Sequence, residues 1–489
     1  MKKCKVLISF VLVICFIFST IPMAFAREYG EYLESMLDFM TEMYYEGLTD
    51  EEALTVTLKG MFSQLDKYSV FYDKEETQIY LDSLNNSYEG IGAVLENHDD
   101  GIIIVDIIED SPAEKAGLQV GDIIIAVDGK SVAGMDVTTA AALIRGEAGT
   151  TVTLTIIRGG TKRDFSIVRD SILNKTVNYR IEGNIGYISI ESFDRGTSEE
   201  FNKAIAEINK AGIKKIILDL RGNLGGFVDE AVAVARKLLP KGIITKLDFK
   251  SEKYKDQIYY SYGNNPKYLI AVLVDEKTAS ASEILAGAIE DSGVGFLVGQ
   301  NTYGKGVFQS MFSILTPEAY KKYSQLYGVK YVTDIEWQTF HGVYPDEDEI
   351  IGLVKLTTGY YYTPKGRSIN GIGLKPSIVE SNPTYPGGID LSKVEPVKEN
   401  LKLNSYNNDV LNAEKILKAA GFLDTVADRL FDDKTLEAVK KYQAVNNLAE
   451  TGIIDNVTKD KLNQTLTELR KDNDKQYVKA LEALSLFSD

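Results

Sequence analysis

The chain is poor in the residues from which many catalytic and metal sites are built: 489 residues include two histidines, two cysteines and one tryptophan. Both cysteines, Cys4 and Cys15, fall in the apolar N-terminal stretch, which excludes a disulfide framework in the rest of the chain. His98 lies in the polar turn ENHDDG and His341 in a polar, acidic segment, so each reads as a solvated loop residue and a Ser-His-Asp triad is poorly supported. No cluster of His, Cys or spaced carboxylates offers a metal site, and residues 346–349 read as solvated acidic loop. Basic runs are absent and the formal charge is -17, which argues against nucleic acid as a partner. After the first residues no other apolar run is long enough to span a bilayer.

What is present is a globular composition, 44% hydrophobic and 26% charged, long enough for about three domains. The beginning differs. MKKCK is a basic segment, VLISFVLVICFIFSTIPM an apolar one, and residues 24–26, AFA, a small-residue cleavage pattern, so residues 1–26 read as a secretory signal. The apolar part is almost long enough to remain as an anchor, and either outcome puts the bulk of the chain outside the cytoplasm. Ile14 before Cys15 argues against a lipid-modified cysteine.

Chemistry is concentrated in residues 271–309, AVLVDEKTASASEILAGAIEDSGVGFLVGQNTYGKGVFQ. The wholly apolar 271–274 reads as a buried strand, and 282–289 has apolar residues at helical spacing with Glu283 in the first turn. Ser280 therefore falls where a strand turns into a helix, beside unpaired N–H groups whose dipoles favour developing negative charge. A serine there serves as a helix cap or as a nucleophile, and a nucleophile needs a base. With histidine scarce, the candidate is Lys305, since burial favours the neutral amine that can accept a proton. Gly304 and Gly306 are expected to let its backbone approach a reacting centre, although GKG is also an ordinary surface turn. The neutral amide of Gln309 can orient the amine without holding it charged.

TASASEI followed by GKGVFQ resembles the signature of the carboxyl-terminal processing peptidases, or tail-specific proteases, which use a Ser-Lys dyad. The resemblance implies Ser280 as nucleophile, Lys305 as base, Gln309 as its positioner and Ser282 as structural. LDKYSVFY at 65–72 is similar to the LDPYS segment of the same family, with Lys67 where proline is usual. LDLRGNLGG resembles its LDLRxNPGG element, with Leu224 for proline, and implies that amides at Gly225 or Gly226, with that of Ala281, hold an oxyanion. VKLTTGYYYTPKGRSINGIGLKP resembles the closing segment of the catalytic domain, with Ser377 in place of aspartate. No cofactor is implied.

The remaining chain gives the organisation. Residues 27–86 are helical in pattern, with Thr49 and Glu52 forming a capping box, and paired helices there would serve to form a homodimer. Residues 87–172 resemble a PDZ β-domain. Gly90 and Gly92 would open its loop to a terminal carboxylate, Ile91 and Ala93 would begin the strand that meets an extended peptide, and Arg145 reads as a ligand-sensing or a solvated cation. Residues 173–376 alternate strand and helix, an α/β catalytic core resembling enoyl-hydratase-like folds. Residues 316–349 look like an insertion, either a flap or a surface excursion. A linker at 377–408 precedes three short helices at 409–470, where RLFDDKTLEAVKKYQ is similar to helical peptidoglycan-binding modules. Residues 471–489 read as a tail.

The expected architecture is thus multidomain: helical N-terminal segment, PDZ β-domain, α/β core and small three-helix C-terminal domain. The expected activity is that of an exported serine endopeptidase cutting polypeptides near their C-termini, with the substrate tail held by the PDZ domain and the wall by the C-terminal module. Two other readings remain: a non-catalytic PDZ scaffold tethered to the wall, and a Ser-Lys acyl hydrolase acting on wall material.

Overall fold

The computed structural model describes residues 29–487 apart from 85–86, 109–110, 174, 253, 264–266 and 334–341. The signal expected at 1–26, His341 and Trp337 lie outside the described residues. Among the described residues no helix is long and apolar enough to cross a membrane, and no group of His, Cys, Asp and Glu has the arrangement of a metal site. The chain divides into two compact units, one of residues 1–80 and 309–358, the other of residues 81–308 and 359–489.

In the first unit the expected capping box is present: Thr49 N–H donates to Glu52, and Glu52 N–H to Thr49 Oγ1, at the start of the helix Asp50–Ser63. The helical reading of this region fails at Val70–Asp73, a strand that pairs antiparallel with residues 352–355. Alternation decides it, because Phe71 enters a core with Ile314, Ile351 and Val354. The 316–349 segment is more than a solvated excursion. Thr316 caps a helix at Pro317–Tyr327 whose Ala319 and Tyr323 pack with Leu315 and Val329.

The larger unit holds the α/β core. Its sheet runs from the antiparallel pair Val177–Glu182 and Ile185–Ile190 through parallel strands Lys215–Asp219, Leu269–Val274, Gly295–Gly299 and Ile378–Val379. Strand residues alternate faces. Ile270, Val272 and Val274 join the core under the helices Thr197–Lys210, Val228–Leu238 and Ala281–Ser292, while Ala271 and Leu273 face the other way. That second face is covered by Tyr477, Ala480 and Leu484 of the C-terminal helix Lys475–Ser485. The expected tail is therefore a layer of the core, stabilising it by roughly 1.5–3 kcal/mol for each large apolar side chain it buries.

The β-domain of the same unit has its own core, built on Ile102, Ile104, Ile124, Val152, Leu154 and Ile156. Buried Asp122, in the expected LQVGD turn, is held by a bidentate pair with Arg158 at 2.6 Å on both oxygens. The helical module packs Val410, Ala413, Ile416 and Leu417 against Val439, Tyr442, Leu462 and Leu466. It also meets the β-domain, where Arg429 Nη2 lies 3.2 Å from Asp106 Oδ2.

Glu414 sits inside this module, accepting from Asp428 N–H at 2.6 Å and from the Thr435 hydroxyl. Burial pushes its carboxyl up from 4.5 to about 7, aided by the charges of Asp428 and Asp432. A folded-state value above the unfolded one means the ionised form is disfavoured by folding. The module's stability should therefore fall as pH rises from about 4.5 to about 7 and level off above that. Thermal unfolding of the full chain against pH is expected to show this slope, and Glu414→Gln to flatten it; an unchanged slope in the variant would show that another group is responsible.

Candidate active site

Ser280 is the last residue of the loop 275–280 that joins the strand Leu269–Val274 to the helix Ala281–Ser292, and it is the N-cap of that helix, so it falls where the chain passes from strand to helix as the pattern of the sequence implies. Its backbone lies at φ 58, ψ -119, one of four described non-glycine residues with positive φ. Such a conformation costs of order 1–3 kcal/mol and persists only where the surrounding structure imposes it. The surroundings must hold it there, and the principal holder is Glu283.

Glu283 is fully buried, and its carboxylate accepts four hydrogen bonds. Oε2 takes Ser280 N–H at 2.9 Å and Lys305 N–H at 2.9 Å. Oε1 takes Thr302 Oγ1–H at 2.5 Å and Gly304 N–H at 2.8 Å. One carboxylate thus joins the backbone of the serine to that of the lysine, 25 positions later in the numbering. Burial raises the Glu283 pKa, and the hydrogen bonds from Thr302, Gly304, Ser280 and Lys305 offset part of that rise. On the carbonyl side, the buried Tyr361 hydroxyl bonds Ser280 O at 3.1 Å and also Lys305 O. The sequence placed Glu283 in a first turn and gave Tyr361 no role, since neither shows a signal beyond local pattern.

The glycine turn after Lys215–Asp219 comes against the serine. An added Cβ at Gly225 would lie 2.7 Å from Ala279 O, 2.8 Å from Ser280 Cβ and 2.9 Å from Ala281 N, so only glycine fits, and its φ of 101 requires one as well. The Gly225 N–H, however, donates to Asn223 Oδ1 at 2.8 Å. It is already spent inside the turn, which corrects its expected part in an oxyanion hole and leaves the amides of Gly226 and Ala281 as candidates. Asn223 is the keystone. Its Nδ2 donates to Ile190 O, and its carbonyl accepts Ala279 N–H at 3.0 Å and Ser282 Oγ–H at 3.1 Å, one on each side of Ser280. Ser282 is fully buried in that contact, the structural part expected of it.

Gly304 and Gly306 differ from expectation. Added Cβ atoms would strike Gly373 N at 2.8 Å and Asn370 N at 2.5 Å, so these glycines admit the 369–373 backbone rather than a reacting centre. Lys305 between them is partly buried. In the first unit, Gln309 Nε2 donates to Thr357 Oγ1 at 3.1 Å, and Thr357 Oγ1 donates to Asp66 Oδ1 at 3.3 Å. A carboxylate only accepts, so this chain fixes the amide with Nε2 toward Thr357 and its oxygen as the remaining end. Asp66 also caps Tyr68 and Ser69, which is how the LDKYS turn is held.

In the β-domain, Ala93–His98 is an edge strand, hydrogen-bonded to Gly101–Ile107 alone among the described residues and lying beside the helix Val137–Ile144. Ala93, Leu95, Val137 and Leu143 are partly buried against the core there. Ile91 O and Gly92 O accept Ala113 N–H at 2.7 Å and Ile108 N–H at 2.9 Å, which fixes the loop after Gly90. An added Cβ at Gly92 would come 2.3 Å from Ser111 Cβ, so this glycine answers a packing demand. Arg145 is exposed, on a loop anchored by Arg169 Nε to Ile144 O at 2.7 Å. His98 is exposed, as expected, but it is the last residue of that edge strand and the turn follows it at 99–100.

Glu283→Gln would present an NH2 group to two of the four donors, at about 1–3 kcal/mol for each buried group left unpaired. The expected results are a melting temperature lower by several degrees and labelling of Ser280 by a fluorophosphonate slowed at least about tenfold. Wild-type labelling in a folded variant would remove Glu283 from the site.

Comparisons with known proteins identify the family. Residues 184–380 match the model of peptidase family S41, residues 103–158 a PDZ domain and residues 406–462 a peptidoglycan-binding domain. The chain is 33% identical over 461 residues to carboxy-terminal processing protease CtpB of Bacillus subtilis, covering 92% of this chain and 88% of that one. It is 35% identical over 445 residues to CtpA of the same organism, covering 90% and 87%. A probable CtpA-like serine protease of Staphylococcus epidermidis is 31% identical over 440 residues, covering 89% and 82%. With a strand-to-helix serine at the centre of its α/β sheet and relatives at this identity along most of its length, the chain belongs to the carboxy-terminal processing serine proteases of peptidase family S41.

Proposed function

We propose that the protein cleaves exported polypeptides near their C-termini by a Ser280–Lys305 dyad. The observation that carries this reading is the single Glu283 oxygen shared by the Ser280 and Lys305 amides, beside a serine held in a strained turn. The neutral Lys305 amine takes the Oγ proton as Ser280 attacks the scissile carbonyl. The resulting oxyanion is held by the Gly226 and Ala281 N–H groups, and the Lys305 ammonium returns its proton to the departing amine. Water, deprotonated in turn by Lys305, releases the acyl group and frees the serine. By the family motif Gln309 would be the positioner of the Lys305 amine.

The β-domain would hold the substrate tail along the Ala93–His98 edge, with the terminal carboxylate at Gly90–Gly92 and apolar side chains against Leu95 and Val137. Arg145 would sense that carboxylate from its exposed loop. The helical module would hold the enzyme to peptidoglycan, in keeping with the family match at 406–462. The basic and apolar N-terminal segment would direct it outside the cytoplasm. A second copy would pair through the helix at 29–43, whose Tyr32, Leu33, Met36 and Phe39 are exposed.

Ser280→Ala and Lys305→Ala are each expected to reduce cleavage of an unstructured peptide by at least about 10³-fold while leaving tail binding intact. Substituting His98 and His341 together should leave cleavage unchanged. Mass spectrometry of products, with peptidoglycan as a parallel substrate, checks this; undiminished processing by the Ser280→Ala protein would reject the dyad.

A further inference from the structure

The turn that meets Ser280 is rich in glycine. Gly222, Gly225 and Gly226 all have positive φ, a backbone with many alternative conformations and no side chains to pin it. Its far end is set by Asn223, as described above. Its near end is Arg221, whose side chain is 9% exposed and gripped from both sides. Asp219 takes Nε and Nη2 at 3.0 and 2.6 Å, and is itself held by the Tyr187 hydroxyl at 2.6 Å.

The other side of the grip comes from 253 positions away. Asp474 Oδ1 and Oδ2 take Arg221 Nη1 and Nη2, both at 2.9 Å, a bidentate pair of the strong, geometrically specific kind. Asp474 is also the N-cap of the C-terminal helix, accepting Tyr477 N–H at 2.9 Å. Its own N–H donates to Arg470 O of the preceding helix. Gln476 adds Oε1 to Arg221 Nη1 at 3.3 Å and secures itself on Asn382. From Arg221 the hold passes directly along the chain, because Gly222 N–H is fixed on the Asp275 carboxylate at 3.0 Å.

We propose that Asp474 is a positioning residue for the oxyanion-binding turn, so that the C-terminal helix, through Arg221, sets the geometry in which Gly226 and Ala281 meet the reacting carbonyl. This rests on the oxyanion assignment made above. Burial favours the neutral form of Asp219, but the Arg221 charge and the hydrogen bonds from Arg221 and Tyr187 outweigh it and hold the carboxyl below its ordinary value. The Asp219 side of the grip is therefore complete above the ordinary carboxylate range and weakens only as pH falls through the lowered pKa.

Asp474→Asn keeps the size of the side chain and a good helix cap but removes the charge. In the full chain it is expected to lower kcat about tenfold with KM unchanged, and to weaken inhibition by a peptide boronate about tenfold, while a tail peptide still binds the β-domain normally. Asp474→Glu should recover most of the loss. Arg221→Lys, which keeps the charge but loses the fork, is the second variant, and it is expected to behave as Asp474→Asn does. If kcat and boronate affinity in both variants stay within twofold of the wild type, the proposal is overturned. It is equally overturned if tail-peptide binding and folded fraction fall in step with kcat, since Asp474 would then be merely structural. Failure of the dyad itself would appear separately, as cleavage by the Ser280→Ala protein.

Discussion

A buried carboxylate that accepts from four donors is the interaction on which the rest of this enzyme is arranged. Glu283 lies in the first turn of a helix that begins at Ala281, where its charge is favoured by the helix dipole, yet it is wholly out of water. An isolated charge in such a place would cost several kcal/mol, so the fold must bring donors to it. It brings the amides of Ser280, Gly304 and Lys305 and the hydroxyl of Thr302. Satisfying one acidic group therefore requires two distant stretches of chain to take up fixed positions, and these stretches carry the serine and the lysine.

The strain at Ser280 follows from the same requirement. A serine at positive φ persists only where its neighbours over-determine it. Here Glu283 holds its N–H, Tyr361 its carbonyl, and Asn223 the residues on each side. The glycines of the RGNLGG turn serve this arrangement by absence of side chain rather than by their amides alone, as the bonded N–H of Gly225 shows. Close backbone approach and donor supply are separate functions, and Gly225 meets the first while its N–H is bound within the turn.

The C-terminal region is more closely joined to the α/β core than its position in the chain suggests. Its last helix buries Tyr477, Ala480 and Leu484 against the open face of the sheet, and the residue that caps it grips Arg221. A parallel sheet needs cover on both faces. Three helices within the peptidase segment cover one face, and the other waits for a helix that follows the entire peptidoglycan-binding module. Nothing in the composition of residues 471–489 marks them as part of the core, because three apolar residues at helical spacing look the same whether they pack on a sheet or on nothing.

Local pattern was enough to read the strand before Ser280, the helix after it, the capping box at Thr49, the LQVGD turn and the three helices of the final module. These are set by short-range periodicity and capping chemistry, which the order of residues carries directly. The family motifs likewise pointed to Ser280, Lys305 and Gln309. What the order of residues could not carry was every partnership made across long separations: the strand pairing of Val70–Asp73, the neighbours of Gly304 and Gly306, and the remote contacts of Glu283, Tyr361 and Asp474. A carboxylate or a tyrosine has the same local appearance whether it is solvated or buried among donors. Only the packing of remote segments, driven by burial of the apolar faces between them, decides which of those two it will be.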